Sequence, residues 1–415
     1  MSMNARALGP FVLSFTLVGV LLIAGCETHE SGTVRSETLS SKVRTTARIS
    51  QQDLAAAGFE EIWYNHPQGD NPVNSVYLQR SGLFVATLPS SREPARLKLI
   101  KRKDGFTSWY YDLEAPLEHA PSVYRYSTLG PNKYHEVFFP ISDTVHCLTL
   151  DFGDPLWKTA APFSVSTSVV ADESGYVAGS DSGRVYGVAK NSSFDTWTYR
   201  TGGHIEASPV TNQTSTFVGS SDGTLYRFST NAGYRQGFSW SFPTGAPIVA
   251  APVAFSQWVL VPSTDYKLYC LAAGDGSPVW EFLAEAPIVD APVVYSFKAG
   301  QEFVFVISED RVRKTRRLFC VRLRDGEAQW EFPGVRKVVS LGRNTLYVLT
   351  GKASTGQRAL VALDRKSGKE KSRLAISNDF RFVPTNHANA GRDRHERGRI
   401  YLVSGNGAVQ AIAEK

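Results

Sequence analysis

Leu268-Tyr269-Cys270-Leu271 leads to Gly276 and Trp280, and Leu318-Phe319-Cys320-Val321 leads to Gly326 and Trp330. In both copies an apolar run is followed by a glycine, and a tryptophan comes four residues after it. Val145-His146-Cys147-Leu148 with Gly153 and Trp157, and Leu97-Lys98-Leu99-Ile100 with Gly105 and Trp109, keep the same spacing. Leu360-Val361-Ala362-Leu363 keeps it to Gly368 but has Ser372 where the tryptophan belongs. Looser copies, Val185-Tyr186-Gly187-Val188 and Leu225-Tyr226-Arg227-Phe228, precede Trp197 and Trp240, and Ala408-Val409-Gln410-Ala411-Ile412 is a last copy at the C-terminus. With Trp63 the series is Trp63, Trp109, Trp157, Trp197, Trp240, Trp280 and Trp330, and only Trp258 is out of step. A period of about 40–50 residues points to an array of four-stranded propeller blades.

A second element recurs upstream of the tryptophan units: Ala120-Pro121-Ser122-Val123, Ser208-Pro209-Val210, Ala251-Pro252-Val253, Ala291-Pro292-Val293 and, more loosely, Val383-Pro384. Proline is tolerated in a sheet only at an edge, and the innermost strand of a blade is such an edge. Hairpin turns such as Ser180-Asp181-Ser182-Gly183, Ser221-Asp222-Gly223 and Ser404-Gly405-Asn406-Gly407 separate this strand's partner from the next copy. The chain opens on an orphan tryptophan strand, Glu61-Ile62-Trp63-Tyr64, and closes on a unit that lacks one. Pairing the first strand with the last unit hides both edges. The fold expected is therefore all-β, an eight-bladed propeller of four-stranded antiparallel blades, with seven blades as the alternative count.

The N-terminus reads as an address. Arg6 precedes an apolar stretch from Phe11 to Ile23, which ends in Ile23-Ala24-Gly25-Cys26. This stretch is short of the ~20 residues a membrane-spanning helix needs. Small residues directly before a cysteine resemble a bacterial lipobox, in which the thiol is acylated and cleavage leaves Cys26 first. Residues 1–25 are then signal peptide, 26–58 a polar tether and 59–415 the propeller. Ser50 to Gly58 has the marks of a short capped helical turn. Glu27 after the cysteine favours the outer membrane, facing the periplasm, over the inner membrane.

Hydrophobic residues make up 42% of the 415 and charged ones 20%, with a formal net charge of +6. That charge is too mild and too dispersed for a nucleic-acid partner. Apart from Cys26, the cysteines Cys147, Cys270 and Cys320 share one repeat position. Packed sheets lie about 10 Å apart, beyond disulfide reach, so three buried free thiols are expected.

Ala362-Leu363-Asp364-Arg365-Lys366-Ser367-Gly368 resembles the signature of the pyrroloquinoline-quinone (PQQ) repeat, and the other copies are degenerate versions of it. A lipobox followed only by short blades is similar to the BamB family of the outer-membrane β-barrel assembly machinery. The resemblance implies a monomeric scaffold without cofactor or catalysis, bound to envelope proteins, among them a β-barrel assembly component. The quinone-dependent dehydrogenases are the enzymatic alternative. The alcohol-oxidising type has an adjacent Cys-Cys pair, which this chain lacks, and no calcium-binding set stands out. His387 and His395 have no partner at metal-ligand spacing, and Asp181, Asp222, Asp275 and Asp325 fall in expected turns.

Two charged loops remain as candidate binding residues. The first, in blade 6, carries Arg311, Arg313, Lys314, Arg316 and Arg317, and the second, in blade 8, carries Arg392, Arg394 and Arg397. They offer cations to an acidic protein loop or, alternatively, to an envelope polyanion or polysaccharide.

Overall fold

The computed structural model describes residues 47–65, 71–126, 134–171, 175–190, 195–212, 214–229, 237–296, 301–351, 358–386 and 398–415. All of them belong to one compact unit, Thr46–Lys415. Cys26 and the segment around it, with Arg392, Arg394, Arg397, His387 and His395, lie outside the described residues. Among the described residues no helix is long and apolar enough to cross a membrane.

Eight antiparallel sheets form, seven of four strands and one of three. In each four-stranded sheet the strands pair in chain order from the innermost to the outermost. Blade 5, for example, is Val253–Phe255, Trp258–Pro262, Lys267–Ala272 and Pro278–Leu283. The proline elements stand immediately before the innermost strands Ser122–Tyr124, Val210–Thr211, Val253–Phe255 and Val293–Ser296, where a missing N–H costs the ladder nothing. The middle strands are buried on both faces, as in Glu136–Ile141, Gly175–Gly179 and Thr345–Thr350. Neighbouring blades cover both sides, so these strands read as unbroken apolar runs rather than as an alternation.

The glycine-to-tryptophan spacing is an inter-blade joint. The indole N–H of Trp109 donates to the carbonyl of Leu150 in blade 2 at 2.7 Å. Trp280 reaches Leu323 at 2.8 Å and Trp330 reaches Arg365 at 2.9 Å in the same way. Each ring lies on the glycine of the next blade's outer turn. A Cβ on Gly153 would fall 2.6 Å from Trp109, and one on Gly326 2.7 Å from Trp280. Those glycines also have φ of +76° and +74°, which L side chains rarely adopt. Trp157 and Trp197 rest on aromatic rings instead, Tyr176 at 6.3 Å and Phe228 at 5.0 Å between centroids.

Ring closure is as expected. Phe59–Asn65 pairs with Val409–Glu414, which pairs with Ile400–Val403. The innermost strand of this eighth blade is reduced to a single bridge, Phe382 to Val403. Trp63 completes the circle by donating to the Arg102 carbonyl of blade 1 at 3.0 Å.

Among the described residues, the segment from Ala47 to Gly58 packs on the propeller. The helix Gln51–Ala56 is capped by the Ser50 side chain, which accepts from the Asp53 N–H. Ala47, Ile49, Leu54 and Phe59 pack with Leu360, Leu374, Ile376 and Phe380 between blades 7 and 8. Ser372, the residue without an indole, faces this strap and donates to the Ala57 carbonyl at 3.5 Å. The strap thus lies against the repeat position that lacks an indole. Gln410, fully buried, accepts the Ile49 N–H and donates back to the Ile49 carbonyl, both at 2.9 Å. Its amide thus mimics one rung of a strand pair and leaves no Ile49 backbone group unpaired.

Cys147, Cys270 and Cys320 are free and buried. Each lies across the ladder from its own blade's tryptophan. Burial pushes the Cys270 and Cys320 thiols up to about 12, so they are inert protonated fillers at neutral pH.

Candidate interaction surface

The repeat is regular enough for departures to be measured in residues. From the third residue after the tryptophan to the first matched inner-strand residue, Arg200 to Val210, Pro243 to Val253 and Leu283 to Val293 each span ten steps. These connectors are latched to the next blade. The Asp222 carboxylate accepts from the Gly202 N–H at 2.7 Å and from the Tyr226 hydroxyl at 2.8 Å. Asp265 repeats both bonds, to Gly245 and Tyr269, at 2.7 Å. Thr201 and Thr244 tie their own turns by donating to backbone carbonyls. Both aspartates make structural bonds here, and only Asp222 was among the turn aspartates named from sequence.

Between blades 6 and 7 the pattern breaks. Pro333 to its matched inner residue Ser340 spans only seven steps. Two register shifts bend the strand Val335–Leu341 as it takes over the connector's route. The central hairpin of blade 6 is longer as well. Phe305 to Cys320 spans fifteen steps where Leu260 to Cys270 spans ten. The surplus forms three extra rungs, Ser308 with Arg317, Glu309 with Arg316 and Asp310 with Thr315, and a turn at residues 311–314. Lys314 takes φ +55° in this turn, and the Asp310 carboxylate accepts the Arg313 N–H at 2.9 Å.

A tall hairpin beside a shortened connector leaves a groove of about 500 Å³. Ser308, Ala286, Pro333, Gly334 and Gly351 line it together with Glu285, Asp310, Arg313, Lys314, Arg316, Arg317 and Arg336. All four cations of the basic run that lie in this list were readable from sequence, but their charge is not equally available.

Successive side chains of a strand point to opposite faces, so Arg316 and Arg317 part company. Arg316 turns to Asp290 at 2.9 Å and Glu309 at 2.7 Å, and its side chain is only 18% exposed. Arg317 pairs with Glu285 at 3.2 Å and also with Glu331. Arg313 lies 3.7 Å from Asp310. The run is therefore not a uniform basic patch. Burial pushes the Asp290 carboxyl up from its ordinary value, with Arg316 opposing the shift. Lys337 beside it is crowded by protein though reached by solvent, which holds it below the usual lysine range.

Lys314 and Arg336 are the groove's available cations. Both are exposed, and among the described residues neither has a carboxylate partner. Arg311 shares the hairpin turn with Lys314, next to Val312, which is 93% exposed. Arg358 lies near Arg336. Burial, and then repulsion from Arg336, hold it below the usual arginine value, and its guanidinium donates to the Phe380 carbonyl at 2.6 Å.

Sequence reading missed Glu285, Asp290, Glu309 and Arg336. The three acids pair with Arg316 and Arg317 from the preceding connector or from the rising strand itself, and no local pattern announces them. The loss of three residues between Trp330 and the next inner strand was a usable signal for the groove itself.

A family model described as "Outer membrane protein assembly factor BamB" matches residues 142–251 and 237–415. The chain belongs to the BamB family. The crystal structure of BamB from Moraxella catarrhalis is similar, with 16% sequence identity and a TM-score of 0.59 over 86% of this chain and 98% of that one. A computationally designed protein, Ika8, is similar at 10% identity, with a TM-score of 0.57 over 85% and 99%. At such identities the likeness establishes the shared propeller fold. No curated protein matches the chain. The resemblance to BamB first carried by the repeat is thereby shown, and the eight-bladed count is shown by the eight sheets.

Proposed function

We propose that this protein is a lipid-anchored, non-catalytic scaffold of the cell envelope, held by an acyl group on Cys26 and acting on outer-membrane protein assembly. Membership of the BamB family is the observation that carries the reading. The groove between blades 6 and 7 supports it. A polar, solvent-open cleft with paired and unpaired charges is suited to docking another protein. The lipobox-like Ile23-Ala24-Gly25-Cys26 supports the anchor, because acyl chains contribute about 0.8 kcal/mol per buried methylene.

Isolation of the full-length protein from its native membranes in mild detergent tests the proposal, with co-purifying proteins identified by mass spectrometry. Recovery of a β-barrel assembly protein is expected. Recovery of no envelope protein at all contradicts the scaffold reading. Growth with a labelled fatty acid tests the anchor: label is expected on the native protein and absent from Cys26→Ser.

A further inference from the structure

We propose that the groove between blades 6 and 7 binds an extended, acidic polypeptide segment of a partner protein. This rests on the scaffold reading and adds to it the place and the chemistry of the contact. Three observations carry it.

The groove stands where a connector is shortened, beside a fifteen-step central hairpin of the kind that blades 1 and 7 also carry. Neither feature serves the ring, because the regular blades close without them. The cations that face the groove are also divided into two kinds. Arg316 and Arg317 are neutralised by carboxylates of blades 5 and 6, which fixes the walls. Lys314 and Arg336, both in the lining, are left uncompensated among the described residues. An incoming carboxylate would find two exposed cations that no carboxylate of the described residues neutralises, an attraction that salt screens.

The lining then decides between a peptide and a uniformly charged polymer. Glu285 and Asp310 stand among the cations, and Ala286, Pro333, Gly334 and Gly351 make the remaining surface. A polyanion would bring charge against those two carboxylates at every step. An extended peptide presents alternate side chains to one face, so it can place a carboxylate at Lys314 and at Arg336 and an apolar or hydroxyl group between them.

The test uses the full-length protein in mild detergent and a short fluorescein-labelled peptide with Glu at every fourth position and Thr elsewhere, so that one face alternates Glu and Thr, followed by fluorescence anisotropy. Saturable binding is expected, weakening as salt rises. It should fall by about tenfold or more in the double variant Lys314→Glu/Arg336→Glu, a change of about 1.4 kcal/mol. The conservative pair Lys314→Arg/Arg336→Lys should retain it. Both positions are exposed, and an unchanged melting curve will show that the charge-reversed protein is folded. Absence of peptide binding, or binding that ignores the charge reversal, overturns the inference. So does polyphosphate or heparin that binds more tightly than the peptide and is lost in the same variant, since the site would then be a polyanion site. If the peptide fails while envelope proteins still co-purify with both wild type and variant, the groove is wrong and the scaffold stands. If nothing co-purifies either, the scaffold reading fails with it.

Discussion

Blades 3 to 5 and blades 6 to 8 are built from the same unit and solve the same packing problem differently. In the first group, ten-step connectors lie flat and are latched by Asp222 and Asp265 onto the turn before them. In the second group a connector is shortened, hairpins rise, one tryptophan is replaced by Ser372, and one blade has three strands and a bridge. The regular arc shows what the ring requires. What the irregular arc adds to that requirement falls into two kinds, closure by the N-terminal strap and the charged groove. Only the groove lacks a structural purpose.

The comparison is most exposed to failure at the joints. Trp109→Ala should cost about 3–5 kcal/mol, because it removes a ring buried against Gly153 and leaves a cavity that the two sheets cannot collapse. Thermal or urea unfolding measures it, and a loss below about 1 kcal/mol would mean that the indole joint is not what holds the blades. On the irregular side the strap should matter nearly as much. Leu54→Ala should cost about 2–4 kcal/mol, since Leu54 is 1% exposed in the apolar cluster with Leu374 and Phe380. A strap that merely rested on the surface would tolerate the change.

Glycine substitution sharpens the contrast at two positions of similar backbone. Gly326 and Gly58 have φ of +74° and +82°, but a Cβ meets the Trp280 ring at Gly326 and nothing within 4 Å at Gly58. Gly58→Ala should therefore cost only the left-handed penalty, about 1–2 kcal/mol. Gly326→Ala should exceed it measurably, and equal losses would show that the strap's glycine is also roofed.

How much of this was legible follows the same division. The repeat frame, the proline-marked inner strands and the closing strand were all readable, because each recurs with a spacing set by strand length and turn geometry. Even the absent tryptophan at Ser372 was visible. The strap that lies against it was not: Ala47, Ile49 and Leu54 sit in a polar stretch that reads as tether, and only the buried amide of Gln410 shows that it is clamped. At the groove, the basic run was legible as charge. Its neutralisation by Asp290, Glu309 and Glu285 was not, because ion pairs across blades leave no local pattern.

A smaller effect separates blades 1 and 2 from the rest. His146 is buried, stacked on Phe139 at 5.4 Å and lying 3.4 Å from the Tyr111 hydroxyl, and its Nε2 has no hydrogen-bond partner. Burial holds it below its ordinary value of 6.5, with Glu114 opposing the shift and Lys158 adding to it. Between its native and unfolded values the unfolded chain binds the proton and the folded one does not. Stability is thus full above pH 6.5 and declines as pH falls below it. Melting temperature should drop modestly from pH 7 to 5.5, and His146→Phe should remove part of that slope. An unchanged slope would place the acid sensitivity elsewhere.

The central claim is that the partner docks where the repeat breaks rather than along its regular arc. Co-purification from native membranes should be compared for wild type, for Lys314→Glu/Arg336→Glu in the irregular arc, and for Arg200→Glu, an exposed charge reversal at the end of the outer strand of blade 3. The account predicts that the envelope partner is retained by wild type and Arg200→Glu and lost or strongly depleted with the groove variant. Retention by the groove variant together with loss in Arg200→Glu would contradict it and move the docking surface to the regular blades.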